Sequence, residues 1–399
     1  MSEFDLIVVD DAVARDWQPF TLTRPAAELL FGTMRLRERI ERSAGTAAAA
    51  ILSSPHLEGF EEDDTPPVIA GAETLTRPTL FVLSRFVPKS AFPRSDAPRT
   101  FTAGSLPVAW FVPAGGQPPD FTTTAGEAIA IEGNVLNHMW ELMSKNGEQT
   151  TADIEALIRE NGTSPLPAGT FGIGETKLHL GRNVTVEPGV VFDFTSGPVS
   201  LDDDVTVRAF ARIAGPSWFG RGTIVLGGAH NGVCAGPQCR LRGEIEATVI
   251  LGYSNKAHDG FIGHGYIGRW VNLGAMTTNS DLKNNYGHVR LWTPGDPDAN
   301  TGEMKIGGFF GDHVKTGIGA LINTGCVVGA GSNLFGGGMP PKYVPPFSWG
   351  SGDRLDVYEF DKFIATAQTV MLRRNVELSE GMRKVLERAW HVSRSTNQT

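Results

Sequence analysis

The residues able to do chemistry crowd between positions 242 and 317. Lys256-Ala257-His258-Asp259 sets an imidazole between an ammonium and a carboxylate, and Gly311-Asp312-His313-Val314-Lys315 brings a second imidazole close to another pair of charges. An imidazole, with an ordinary pKa near 6.5, is neutral at cellular pH and can still receive a proton. His313 is one candidate base on these grounds, and Lys315 is a candidate partner for a phosphate. Between the two stretches Asn279, Lys283, Asn284, Asn285 and Tyr286 form a polar cluster. Such a cluster can bind a ligand, yet asparagine also tolerates left-handed turns and ladders in coiled β structures, so a structural role is equally open. His258, His264 and His313 could together hold zinc with a water in the open position, but their spacing gives that reading little support.

The elements that must position these groups follow an unusual period. From about Leu180 apolar residues return every six positions, each followed by a small or polar residue. Leu201, Val207, Ile213, Phe219 and Val225 make one run, Phe261, Ile267 and Leu273 a second, and Phe310, Thr316, Ile322, Val328 and Leu334 a third, all apolar but Thr316. Six is the period of neither a helix nor an ordinary strand. It predicts a parallel β-helix in which each side of a coil is a short strand plus a corner, with three sides per coil. The rival reading is chance Gly-rich spacing in another β fold, and three runs that keep phase argue against it. The breaks near His230 to Leu251 and Asn279 to Lys305 predict loops that leave the coil.

Residues 1–165 read as an α/β domain. Leu6-Ile7-Val8-Val9 is a short buried strand, and Ala26 to Arg42, Leu136 to Leu142 and Ala152 to Arg159 have helical spacing. The coils occupy 170–350. Residues 351–399 predict a C-terminal helix that caps or crosses the coils, with Gly381 as a point of interruption.

Composition bounds the function. The 399 residues are 41% hydrophobic and 20% charged, enough for two cores. A net charge of -9 argues against a nucleic-acid surface and favours small anions as ligands. The acidic N-terminus does not read as a signal peptide, and no apolar run approaches the roughly 18 residues of a membrane span. Cys234, Cys239 and Cys326 read as reduced packing residues, and a cytoplasmic location is expected.

The segments Gly252 to Gly263, Trp270 to Ala275, Asn279 to Gly287, Gly311 to Ile318 and Phe347 to Gly350 resemble the bifunctional N-acetylglucosamine-1-phosphate uridylyltransferase/glucosamine-1-phosphate acetyltransferase family. Closer still is its shorter group of sugar nucleotidyltransferase-like proteins with hexapeptide repeats. The resemblance implies a degenerate nucleotidyltransferase-like α/β domain, then a left-handed β-helix, assembled as a homotrimer with sites between subunits. It implies His258 as the catalytic base, oriented by Asp259, with Asn272 holding the sugar and the Gly274-Ala275 backbone beside acetyl-CoA or another acyl-CoA. The family's tyrosine three residues after the histidine is Phe261 here, and its phosphate-binding lysine falls on Glu246, for which Arg242 or Lys256 could substitute. In the N-terminal domain the Gly-rich phosphate loop is missing, leaving Arg24 to bind a phosphate and Asp10 or Asp11 to hold Mg²⁺. The implied activity is a transferase in nucleotide-sugar metabolism that moves an acyl group from acyl-CoA to an amino-sugar phosphate. The alternatives are nucleotidyl transfer from a nucleotide triphosphate by the front domain, and a non-catalytic sugar-nucleotide-binding scaffold.

Overall fold

Runs such as Leu6-Ile7-Val8-Val9 and Leu80-Phe81-Val82-Leu83 are apolar throughout, as parallel strands covered on both faces must be. A computed structural model, describing residues 4–62, 64–93 and 95–395, places them side by side in a seven-stranded sheet. Asp5–Val9 runs parallel to Ala48–Leu52 and Thr79–Leu83, and Leu106–Val112 is antiparallel to the latter. Around this sheet lie α1 (Ala12–Arg15), α2 (Leu36–Ala44), α3 (Glu141–Ser144) and α4 (Asn146–Asn161).

The helical spacing read over Ala26 to Arg42 is realised only from Leu36. Ahead of it stand a 3-10 turn, Ala26–Glu28, and a tight hairpin of Leu30–Phe31 with Met34–Arg35. Gly32 makes the reversal at φ +64°, and a Cβ there would lie 2.2 Å from Asp153 Oδ2 and 2.3 Å from an Arg39 nitrogen. Gly32→Ala is therefore expected to cost about 2 kcal/mol or more, because a steric clash adds to left-handed strain. A fall of several degrees in the thermal midpoint checks this.

From Phe171 onward the chain winds into a parallel β-helix whose short strands pair coil to coil. Leu201, Phe219, Ala235, Ile250, Ile267, Phe310, Val328 and Val344 stand in register along one side and fill the interior. Phe261 departs from the sequence reading. It is half-buried, while Ile262 points inward, because the spacing from Ile262 to Ile267 is five residues instead of six. The stretch His230 to Leu251 also stays in the coils rather than looping out, since Val233, Cys239, Leu241 and Ile245 fill the interior at other spacings. Residues 280–305 do leave, as an excursion holding an antiparallel Arg290–Leu291/Ala299–Asn300 pair, and return at a bridge between Leu282 and Lys305.

One corner of the β-helix is a column of left-handed residues: Asn183, Asp204, Gly222, Gln238, Tyr253, Trp270, His313, Gly331 and Phe347, with φ between 53° and 72°. Bulky side chains there are thrown outward and meet the C-terminal helices. These are two rather than one, α5 (Phe360–Leu372) and α6 (Glu380–Ser395). The break falls at 373–379; Gly381 lies inside α6, where it allows close approach to the Gly59 carbonyl. Phe363, Ile364 and Ala367 of α5 pack with Phe347, while Met382 and Val385 of α6 enter the front-domain core.

The front domain and the β-helix share a core. Trp17, Phe20, Leu29 and Phe31 pack with Trp218, Val249, Tyr266 and Phe309, and the Phe20 and Tyr266 rings lie 4.6 Å apart. The Tyr266 hydroxyl accepts from the Leu30 amide (2.9 Å) and donates to the Leu30 carbonyl (3.1 Å).

Candidate active site

His258 sits just ahead of a coil corner made by Gly260, exposed and with no side-chain hydrogen bond among the described residues. Asp259 does not orient its ring: the carboxylate accepts from Arg242 Nε at 3.1 Å, and Arg242 also donates to the Leu226 carbonyl. Lys256 is not a surface cation. It pairs in register with Leu241 in the interior column, and its Nζ donates to the carbonyls of Arg242 (3.0 Å) and of His258 itself. Lys256 thus holds the backbone that carries His258. Burial pushes its ammonium down to about 8, against the attraction of Asp259. Between pH 8 and the ordinary lysine value of 10.5 the unfolded chain binds more protons, so stability rises with pH through that window. Lys256→Met is expected to flatten this rise, measured as denaturant midpoints from pH 7 to 10.5.

His313 stands apart from His258, in the left-handed corner column, buried between Trp270 and Phe363. Burial and the neighbouring Lys315 hold it well below 6.5, hence neutral, and its Nδ1 has no partner. It lines a cavity of about 270 Å³ with Tyr253, Arg269, Trp270 and Glu62. Asn272 and Lys315 come together in a neighbouring cavity of about 240 Å³ beneath α5. There Asn272 accepts from Asn255 (3.3 Å), and Lys315 Nζ donates to the carbonyls of Trp270 (2.7 Å) and His313 (2.9 Å). The backbone at Gly274 and Ala275 is engaged in coil stacking, with the Gly274 amide donating to Thr316 and the Ala275 carbonyl accepting from Gly319. Its freedom to meet an acyl carrier is correspondingly reduced.

The polar cluster divides. Asn279 is buried with its amide bonded both ways to the Gly263 backbone, which makes it a corner brace. Lys283 and Asn285 line an open cleft with Asn284, Asn323 and Lys342, whereas Tyr286 projects to solvent.

In an open α/β sheet a ligand is expected outside the carboxyl ends of the parallel strands. That place is filled by residues 10–30. Asp10 is buried and accepts from the amides of Ala26 (2.9 Å) and Ala27 (3.2 Å) and from Ser53 Oγ (2.6 Å), and burial raises its pKa. Asp11 caps α1 through Ala14 N (3.0 Å) and pairs with Arg85 at 2.8 Å. Both carboxylates are engaged by protein donors, and held in this way the pair does not fit a Mg²⁺ site. Arg24 is likewise taken up. Its Nη atoms donate to Glu62 (2.8 and 3.0 Å) and its Nε to Asp312 (2.8 Å), where Thr23 Oγ1 and the Arg269 amide also donate. With Arg269 also on Glu62, this is a buried charge cluster joining the two domains. Sequence reasoning missed Glu62 and Asp312 because they lie 38 and 288 residues from Arg24, with no local pattern linking them.

Comparison with known proteins bears on both halves. Residues 6–161 match the sugar nucleotidyl transferase family. Beyond that domain-level match, a bifunctional sugar-1-phosphate nucleotidylyltransferase/acetyltransferase of Sulfurisphaera tokodaii is 31% identical over 96 residues, which is 24% of this chain and 24% of that protein. The chain therefore spans only about a quarter of the curated relative it matches. Among solved structures, an Arabidopsis UDP-N-acetylglucosamine acyltransferase aligns at 12% identity over 53% of this chain and 81% of that one, with a TM-score of 0.29. A Campylobacter jejuni enzyme of the same name aligns at 15% identity over 56% and 95%, also with a TM-score of 0.29. The sugar nucleotidyl transferase domain is thus the part whose family is recognised, and it is also the part whose expected phosphate and metal ligands are engaged internally.

Proposed function

We propose that the protein is a transferase of sugar-nucleotide metabolism in which the β-helix moves an acyl group from acyl-CoA to an amino-sugar phosphate, with His258 as the base. The observation that carries this reading is the state of His258: its side chain is exposed and without a hydrogen bond among the described residues, and its own carbonyl is held at a coil corner by a buried lysine. In the reaction the amine nitrogen attacks the thioester carbonyl carbon, a C–N bond forms and the C–S bond breaks. The imidazole takes the proton from nitrogen and returns it to the departing thiolate. Arg242, which donates to Asp259 on the same exposed corner, is the cation proposed to meet the anionic substrate.

A homotrimer suits the surface next to His258. Phe210 (84% exposed), Met276 and Ile318 (80% exposed) are large apolar side chains along that edge, and the Met276 amide donates to the Asp259 carbonyl. Such a strip is covered on assembly, which would place His258 near a subunit seam. No helix among the described residues is long and apolar enough to cross a membrane, and the composition favours a cytoplasmic place of work.

The match of residues 6–161 favours a second reading, nucleotidyl transfer by the front domain. Mass spectrometry of the protein incubated with amino-sugar phosphates and acyl-CoA, or with nucleotide triphosphates and Mg²⁺, separates the two. An acylated sugar phosphate lost in His258→Ala supports the first. A nucleotide-sugar made equally by wild type and His258→Ala replaces it with the second, and tight binding without any product leaves a scaffold.

A further inference from the structure

Helix α5 and the residues just after it close over one face of the β-helix, leaving the 240 Å³ cavity lined by Tyr253, Asn255, Trp270, Asn272, Lys315, Thr366, Val370, Arg373 and Arg374. Its charge is one-sided. Arg373, Arg374 and Lys315 contribute cations and no lining residue is acidic, while Arg240 lies close enough to repel Arg374. None of these four cations makes an ion pair among the described residues, although this protein pairs most of its buried arginines with carboxylates, as at Arg24, Arg37 and Arg39. Arg374 donates from Nη2 to Asn255 Oδ1 at 2.7 Å, but its Nε is buried without a partner. Arg373 is exposed at the cavity edge, and its side chain makes no hydrogen bond among the described residues. Lys315 uses two of its three N–H bonds on carbonyls.

Gathering cations without carboxylate partners around a cavity is costly in the empty protein, because the buried ones are desolvated and each repels the next. The strain is visible in their acidities. Burial and then the neighbouring guanidiniums hold Arg240 and Arg374 below the ordinary arginine range, and burial brings Lys315 down to about 7 against the pull of Asp312. A bound anion would reverse all three effects.

We propose that this cavity is a binding site for a phosphate group, built by the C-terminal helix against the β-helix. The guanidiniums of Arg373 and Arg374 supply forked donors, Lys315 its remaining N–H, and the Asn272 amide a neutral donor, a set matched to a tetrahedral dianion. His258 does not line this cavity, and phosphate binding there does not depend on acyl transfer. Free phosphate, the phosphate of a sugar phosphate and a phosphate of coenzyme A share this chemistry.

Calorimetric titration of the full-length protein with sodium phosphate at low ionic strength is expected to show binding tighter than about 1 mM. Arg374→Gln and Arg373→Gln should each weaken it by about tenfold. Arg373→Gln breaks no side-chain hydrogen bond or ion pair among the described residues, and an unchanged thermal midpoint would show that the loss of binding is not misfolding. Titrations with glucosamine 1-phosphate and with coenzyme A then identify the source, since the ligand bound much more tightly than phosphate is the one whose phosphate the site receives. Absence of phosphate binding at about 10 mM, or equal weakening by Arg208→Gln on a remote coil, would overturn the proposal.

Discussion

His258→Ala is expected to lower kcat/KM for acyl transfer by about 10²- to 10⁴-fold, the range over which a positioned general base contributes. The side chain is exposed and bonds to nothing among the described residues, so its removal leaves the coil ladder intact and the thermal midpoint within about a degree of wild type. That separation of activity from stability is the informative part. A histidine serving the fold would cost stability on removal, and none of its contacts predicts such a cost. His313→Ala supplies the contrast: it empties a buried place between Trp270 and Phe363, and should lower the midpoint measurably. Steady-state rates and thermal melts on the two variants distinguish the roles. Full activity in His258→Ala would remove it from the mechanism.

The second large effect concerns the charge cluster between the domains. Glu62→Gln should destabilise the protein by about 3 to 5 kcal/mol at pH 7, because it leaves the buried guanidiniums of Arg24 and Arg269 facing a neutral amide. An exposed ion pair would be worth only about 0 to 1 kcal/mol, so the size of the effect tests whether the cluster is buried as described. Burial by itself would raise the Glu62 carboxyl, but Arg24 and Arg269 overcome it and hold the group at about 2, below its ordinary 4.5. A depressed carboxylate stabilises the fold above its unfolded pKa and loses that contribution as pH falls through the folded one. The gap between wild type and Glu62→Gln, read from urea midpoints, is therefore widest above pH 4.5 and narrows toward pH 2. A gap that stays constant with pH would show that the variant acts through packing and not through charge.

The same cluster takes up Arg24, the anion ligand expected in the part of the chain that matches sugar nucleotidyl transferases. Arg24 faces Asp312 of the β-helix, and Thr23 and the segment 10–30 fill the crevice at the strand ends. Docking and phosphate binding compete for the same guanidinium, and in this structure docking holds it.

The sequence by itself determined the repeating architecture. A six-residue apolar period is a local property of the chain, since each interior residue needs only the coil above and below it, and twelve of the thirteen residues so identified are buried. Phe261 missed because a five-residue side shifts the phase by one, a change the period alone cannot reveal. His258 was nominated through the family resemblance, and the structure adds that its side chain is exposed at a coil corner. What only the tertiary structure decided was the state of the charged groups. Lys256 looks like a surface cation until coil register turns it inward, and Arg24 looks free until Glu62 and Asp312 arrive from distant parts of the chain. Arg373 and Arg374 carry no motif at all; they acquire a shared cavity with Lys315 only when α5 folds back over the coils. The type of a charged side chain fixes what it can do, but the carboxylates, carbonyls or empty space it meets are set by contacts far apart in sequence.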